Sequence, residues 1–245
     1  MRVKAEELLR QIRSTHMVDL SYPFAEGMPY WPGRLQEPFR HTVEEVRPRV
    51  WGGCFTMAEH SGTHVDAPRH FVSNGRTTGE LTPFEMISLG VVIDVSEKAA
   101  RDPDYSLTVD DVLHWEREFG EIPRQATVLL HSGWGRRWHV FDAYLNEDAE
   151  GVLHFPGFSG EAARWLVEER RITALGLDTL SADNMVMTLA QDSPVHRTVH
   201  EADGRIIENL ARVDQLPVRD FLLVVASIPI QGGTGAPARV LALIP

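Results

Sequence analysis

Four stretches of the chain are short, nearly continuous apolar runs closed by turn-forming or polar residues: GVVIDVS (90–96), ATVLLHS (126–132), ITALGLD (172–178) and FLLVVASIPI (221–230). Runs of this length without polar alternation suit strands buried on both faces. MVDLSYPF (17–24) predicts a shorter strand that breaks into the Pro/Gly-rich loop GMPYWPG (27–33), and 50–60 is strand-like again. Helical periodicity separates these runs. Over 4–14, Leu8, Leu9 and Ile12 recur at helical spacing among charges. TVDDVLHWEREFG (108–120) starts at Thr108 as N-cap, carries Asp110 and Asp111 in its first turn and stops at Gly120. SGEAARWLVEERR (159–171) starts at Ser159, and a third helix is expected over 194–203. Strands alternating with helices predict an α/β or mixed α+β fold. No repeat, low-complexity stretch or linker divides it, so residues 1–15 read as a helical extension and 16–245 as a single domain.

Composition narrows the function classes. A chain of 245 residues with 43% hydrophobic and 24% charged content matches an ordinary globular protein. Its net charge of −11 argues against a nucleic-acid partner, which needs a Lys/Arg surplus. Cys54 stands alone, so no intrachain disulfide forms and a reducing compartment is expected. In WGGCFTM it reads as a small buried residue rather than a nucleophile paired with His60. The N-terminus lacks the apolar core of a signal peptide, and no apolar run reaches membrane-spanning length. The expectation is a cytoplasmic protein with no membrane partner.

The densest chemistry lies in EHSGTHVDAPRHF (59–71), where His60, His64, Asp66 and His70 fall within eleven positions. A helix would put His60 and His64 on one face, as in an H-E-x-x-H zinc helix. Gly62, β-branched Thr63 and Val65, and Pro68 oppose a helix here. In an extended segment 60, 64 and 66 point to the same side. Four strand residues span about 13 Å, too far for one ion. The chain must therefore bend, and Gly62 is where it bends at least cost. Two imidazoles and a carboxylate then make the three-ligand set of a catalytic metal site, with positions left for water. His70, beyond Pro68, could add a ligand or move a proton.

HSGTHVDAPRH (60–70) resembles the H-x-G-T-H-x-D-x-P-x-H signature of the cyclase-like metal-dependent hydrolase family, which includes bacterial kynurenine formamidases and isatin hydrolases. The likeness extends through MPYWPG (28–33), 155–183, SPVHRTVHEADGRIIENL (193–210) and PIQGGTGAPARVLAL (229–243), nearly the whole chain beyond the first fifteen residues. The resemblance implies a swivelling β/β/α fold and a homodimer or homotetramer whose neighbouring subunits help close the site. It implies that His60, His64 and Asp66 hold a first Zn or Mn ion, that Asp66 can bridge to a second, and that His196 and Glu208 complete the second site. His70 would be the general acid/base and Trp31 would meet the substrate. His200, one turn after His196, competes with it for the ligand role. Relatives with glutamine at the position of Glu208 tend towards one metal; this chain keeps the carboxylate, so one or two ions per chain are expected.

The implied reaction is hydrolysis of an aryl amide C–N bond by a metal-activated water, on N-formylkynurenine or on a cyclic amide such as isatin. Trp31, Tyr30, Phe71 and Phe155 are the loop aromatics that would favour a flat aryl substrate. Alternatives are a cyclase, dehydratase or lactone hydrolase on the same scaffold, or a non-catalytic metal-binding protein. No G-x-S-x-G elbow supports a serine nucleophile. Glu208 follows two isoleucines, an odd place for an unpaired buried charge, and a metal would pair it. GGTGAP lacks the Lys-Ser/Thr of a phosphate loop and reads as a tight turn, and His131 in LHSGWG reads as structural.

Overall fold

A computed structural model describes residues 4–33 and 37–245; residues 1–3 of the 1–15 extension lie outside the described residues. In chain order the strands are β1 (His16–Asp19), β2 (Arg40–Arg47), β3 (Val50–Thr56), β4 (His64–Asp66), β5 (Ile87–Asp94) and β6 (Ser106–Leu107). They continue as β7 (Thr127–His131), β8 (Gly157–Phe158), β9 (Ala174–Leu177), β10 (Arg205–Glu208), β11 (Phe221–Ser227) and β12 (Gly235–Ile244). The order β12-β11-β5-β7-β9-β10-β4, with β4 pairing back onto β12, closes a seven-stranded barrel, and β1 extends it from the outer edge of β12. The apolar runs at 90–96, 126–132 and 172–178 supply the parallel trio β5, β7 and β9; β10 joins parallel to β9, and the remaining barrel pairings are antiparallel. The result is a single mixed α/β domain of the swivelling β/β/α type.

Strand alternation divides the core into two layers. Val92, Leu129, Ile207, Val65, Leu223 and Val240 fill the barrel. Their neighbours Val91, Ile93, Val128, Leu130, Leu175 and Leu177 face outward and are covered by the crossover helices. Those helices begin as the sequence predicts. Thr108 caps Val109–Phe119 in a reciprocal capping box with Asp111, and Ser159 accepts from Ala162 N to start Gly160–Trp165. The second continues as a π-helical turn, Leu166–Arg170, and ends at Arg171 with φ +49°. The third expected helix spans Pro194–Glu201.

Alternation also places the chemistry. Val65 points into the barrel, 1% exposed, so His64 and Asp66 on either side point out. Ile207 likewise points in and sends Glu208 out. The β4–β10 register sets Glu208 opposite His64 and Ile206 opposite Asp66. Helix Pro194–Glu201 packs beside β10 on this outer face. Burial of Val65 and Ile207 contributes roughly 1.5–3 kcal/mol each and locks that register. A one-residue slip would turn the side chains of His64, Asp66 and Glu208 into the barrel.

Three expectations are corrected. The strand at 50–60 stops at Thr56 and pairs with β2 as a separate hairpin, because RHTVEEVR (40–47) alternates too weakly to announce a partner strand. Cys54 lies on that hairpin and is exposed rather than buried. The strand expected over 17–24 ends at Asp19, where Ser21 N turns back onto the Asp19 carboxylate. The amphipathic helix Ala5–Ser14 forms as expected but buries no residue, leaving Leu8 52% exposed. Among the described residues no helix is long and apolar enough to cross a membrane.

Candidate metal centre and catalytic cavity

The bend needed between His60 and His64 occurs at Gly62, which adopts φ +59°. A Cβ there would lie 2.8 Å from the Phe24 ring, so only glycine fits both the conformation and the space. Gly62 also fixes a ring. His64 Nδ1–H donates to Gly62 O at 2.8 Å, which leaves the Nε2 lone pair facing Asp66 Oδ1 at 3.3 Å and Glu208 Oε2 at 3.4 Å. His196 is fixed in the same way. Asp183 accepts from His196 Nδ1 at 2.6 Å and from Val195 N and His196 N, capping Pro194–Glu201 while it orients the ring. His196 Nε2 then faces Asp66 Oδ2 at 3.5 Å and Glu208 Oε1 at 3.3 Å.

Asp66 sits between two groups of donors. Ligand atoms of His60, His64 and Asp66 lie within 4.8 Å of one another, and so do those of Asp66, His70 and His196. His60 Nδ1 is 2.5 Å from Asp66 Oδ1. His64, Asp66, His196 and Glu208 are each 5% exposed or less. His64 Nε2 and Asp66 Oδ2 nevertheless have no hydrogen-bond partner. Two buried lone-pair atoms without a donor between them fit a cation there.

Electrostatics agree. Burial favours neutral His64, but the Asp66 carboxylate, by charge and hydrogen bond, and then Glu208 carry it up to about 9. His196 is held well above its ordinary value against burial by Asp183, Asp66 and Glu208. Burial raises Glu208, and the nearby Asp66 charge raises it further. Asp66 itself is held well below the usual carboxylate range, because His60 and His64 outweigh its burial. Two buried carboxylates thus recruit positive charge, which a dication would supply while displacing protons from the imidazoles. His70 sits at the rim with its side chain exposed and its ring 4.1 Å from that of His60. Burial of its inner edge and the imidazoles of His60, His196 and His200 push it below its ordinary value, so it stands neutral, able to accept a proton.

These side chains floor a cavity of about 230 Å³ walled by Tyr30, Trp31, Phe71 and Leu180, with Ser181, Thr188, Ser193 and Asn209 as polar points. Phe71 stacks on His196 at 4.7 Å. The model of the family described as "Putative cyclase" matches residues 18–184. The chain belongs to the cyclase family. It is 34% identical over 194 residues to the isatin hydrolase of Roseibium aggregatum, covering 77% of this chain and 73% of that protein. It is 27% identical over 223 residues to the kynurenine formamidase of Erythrobacter litoralis, covering 90% of each. Isatin hydrolase A from Ralstonia solanacearum superposes with a TM-score of 0.93 at 30% identity, over 100% of this chain and 98% of that one. An isatin hydrolase bound to the product analogue thioisatinate superposes at 0.92 with 28% identity, over 99% and 100% of the two chains.

Within this cyclase-family frame, the structure brings together His60, His64, Asp66, His70, His196 and Glu208, with Trp31, Tyr30 and Phe71 on the cavity wall. His196, not His200, faces the carboxylates; His200 Nδ1 bonds Gly204 O, and its Nε2 is orphaned. Phe155 is corrected. It is fully buried and outside the cavity lining, and it backs Trp31 edge-on at 6.2 Å. His131 pairs with Asp94 at 3.2 Å, away from the cavity, as a structural reading expects. Sequence reasoning misses Asp183, Glu59 and Thr234. Asp183 meets His196 across 13 positions, and Glu59 and Thr234 meet across 175, so none of them carried a local signal.

Proposed function

We propose that this protein is a metal-dependent amidohydrolase that opens a compact cyclic aryl amide of the isatin type. The observation that carries the reading is the convergence of His64 Nε2 and Asp66 Oδ2, both buried and unpartnered, with His60, His196 and Glu208 around them. His60, His64 and Asp66 would hold one ion, and Asp66, His196 and Glu208 a second, so Zn or Mn at one to two per chain suits a set of imidazoles and carboxylates. A bound dication lowers the pKa of a water to roughly 7 and polarises a carbonyl oxygen.

The chain's own groups do the rest. Trp31, Tyr30 and Phe71 line the cavity and would meet a flat ring, with Leu180 on the apolar side. His70, neutral at the rim, takes the proton from the attacking water and returns it to the departing nitrogen. The amide C–N bond breaks, the hydroxyl goes to the carbonyl carbon, and the products are a carboxylate and an aryl amine. The cavity volume suits a bicyclic amide, and the 34% identity to an isatin hydrolase supports isatin over N-formylkynurenine.

A parallel assay of metal-loaded protein on the two substrates tests this choice. Isatin turning over faster is expected; preference for N-formylkynurenine would move the protein to the formamidase reading. The β2–β3 hairpin stands apart with Trp51 67% and Phe55 58% exposed. Two-stranded hairpins are marginal alone, and this supports a homodimer or homotetramer in which another copy covers it. The lone cysteine supports a cytoplasmic setting.

A further inference from the structure

GGTGAP (232–237) reads as a simple turn, and Gly232 at φ +79° does turn the chain into β12. The residue that follows the turn does more. Glu59 Oε2 accepts from Thr234 N at 2.8 Å, from Thr234 Oγ1 at 2.8 Å and from Gly235 N at 3.3 Å. Thr234 Oγ1 is also 2.9 Å from His60 Nε2.

A hydroxyl has one proton to give, and Glu59 Oε2 is the acceptor of two backbone N–H groups beside it. The Thr234 proton therefore goes to Glu59, and Thr234 Oγ1 can only accept from His60. That places a proton on His60 Nε2, so Nδ1, 2.5 Å from Asp66 Oδ1, is the nitrogen whose proton a cation would displace. With a cation at Nδ1, His60 would thus be held in the opposite tautomer from His64 and His196, whose Nδ1–H groups are tied to Gly62 O and Asp183. The ring is also pressed flat against the closing segment: a Cβ on Gly235 would lie 2.5 Å from His60 Cε1.

We propose that Glu59 and Thr234 are positioning residues for the metal centre. They act as a carboxylate–hydroxyl–imidazole chain that fixes His60 in the tautomer presenting Nδ1 to the cation. The proposal rests on the metal-binding reading above. It extends that site to a strand from the far end of the sequence, so that barrel closure by β4 and β12 and ligand orientation are achieved by the same contact.

The test is the Zn²⁺ affinity of metal-stripped wild type, Thr234→Val, Thr234→Ser and Glu59→Gln, read by competition with a chromophoric chelator, alongside the melting temperatures of the metal-free proteins. Thr234→Val keeps the branched shape but removes the acceptor. Loss of such an outer partner weakens metal binding by about 10–100-fold. Thr234→Ser should restore wild-type affinity, which a purely structural role for the methyl group would not allow. Wild-type affinity in a folded Thr234→Val protein would overturn the inference while leaving the metal reading intact. No Zn²⁺ binding by wild type would overturn both. If Thr234→Val fails to fold, Glu59→Gln decides: weakened binding supports the chain, and unchanged binding refutes it.

Discussion

Replacing Gly62 with alanine strikes the bend on which the centre depends, and its cost can be worked from the geometry. At φ +59° a side chain costs about 1–2 kcal/mol in backbone strain. The added Cβ would also sit 2.8 Å from Phe24 Cε1 and 3.1 Å from Phe24 Cζ. Relieving that overlap adds about 1–3 kcal/mol. A total of about 3 kcal/mol corresponds to a fall in melting temperature of roughly 6–12 °C for a chain of this size. Gly27 is the internal control: it too has positive φ, +81°, but nothing lies within 4 Å of its would-be Cβ. Gly27→Ala should bear only the backbone part, about 1–2 kcal/mol. Thermal unfolding of the two metal-free variants measures the difference. Gly62→Ala should also weaken metal binding, since Gly62 O holds His64 Nδ1 at 2.8 Å and Asn209 Nδ2 at 2.9 Å. If Gly62→Ala loses no more stability than Gly27→Ala and binds metal as wild type does, the bend is not what brings His60 to His64.

His70→Ala should keep its metal and lose about 10²–10⁴-fold in turnover, as expected for a proton-transfer group; metal analysis showing loss of an ion would make His70 a ligand instead. Glu208→Gln should lower the metal content towards one ion per chain, with the shape of the site kept, and an unchanged count would leave Glu208 orienting other groups. Glu85 is held at about 2 by its hydrogen bonds to Arg76, against partial burial and with help from Thr82. A depressed carboxylate adds stability above its unfolded value near 4.5, and that stability is lost as pH falls towards 2. With the pair partly exposed, the effect should be about 1–2 kcal/mol. Glu85→Gln should flatten the acid limb of the stability profile over that window, and a limb identical to wild type would refute the pairing.

Most of the barrel was legible because its parallel strands are buried on both faces and leave unbroken apolar runs, as at Val91–Ile93 and Val128–Leu130. The clustering in the histidine run was legible for a local reason too: Gly62 and Pro68 exclude a helix, and His60, His64 and Asp66 lie within one short segment. Long-range contacts were not legible. β12 binds both β4 and β11 to close the barrel, yet GAPARVLALI opens with small residues and a proline that give no strand signal. Thr234 and Glu59 look like ordinary polar residues until closure sets them side by side. Phe155 and Cys54 were misplaced because residue type gives only an average burial. Phe155 is packed under Trp31, and Cys54 rides on a hairpin that leaves the barrel.

In the proposed function, this cavity hydrolyses an aryl amide through a cation held by its imidazoles and carboxylates. The most direct measurement is the rate of isatin ring opening by one preparation in three states: as purified with its metal quantified, stripped by chelator, and reloaded with Zn²⁺ or Mn²⁺. One to two ions per chain at the start, no turnover after stripping and recovery on reloading are expected. Stripped protein, verified metal-free, that opens isatin at the original rate would contradict it.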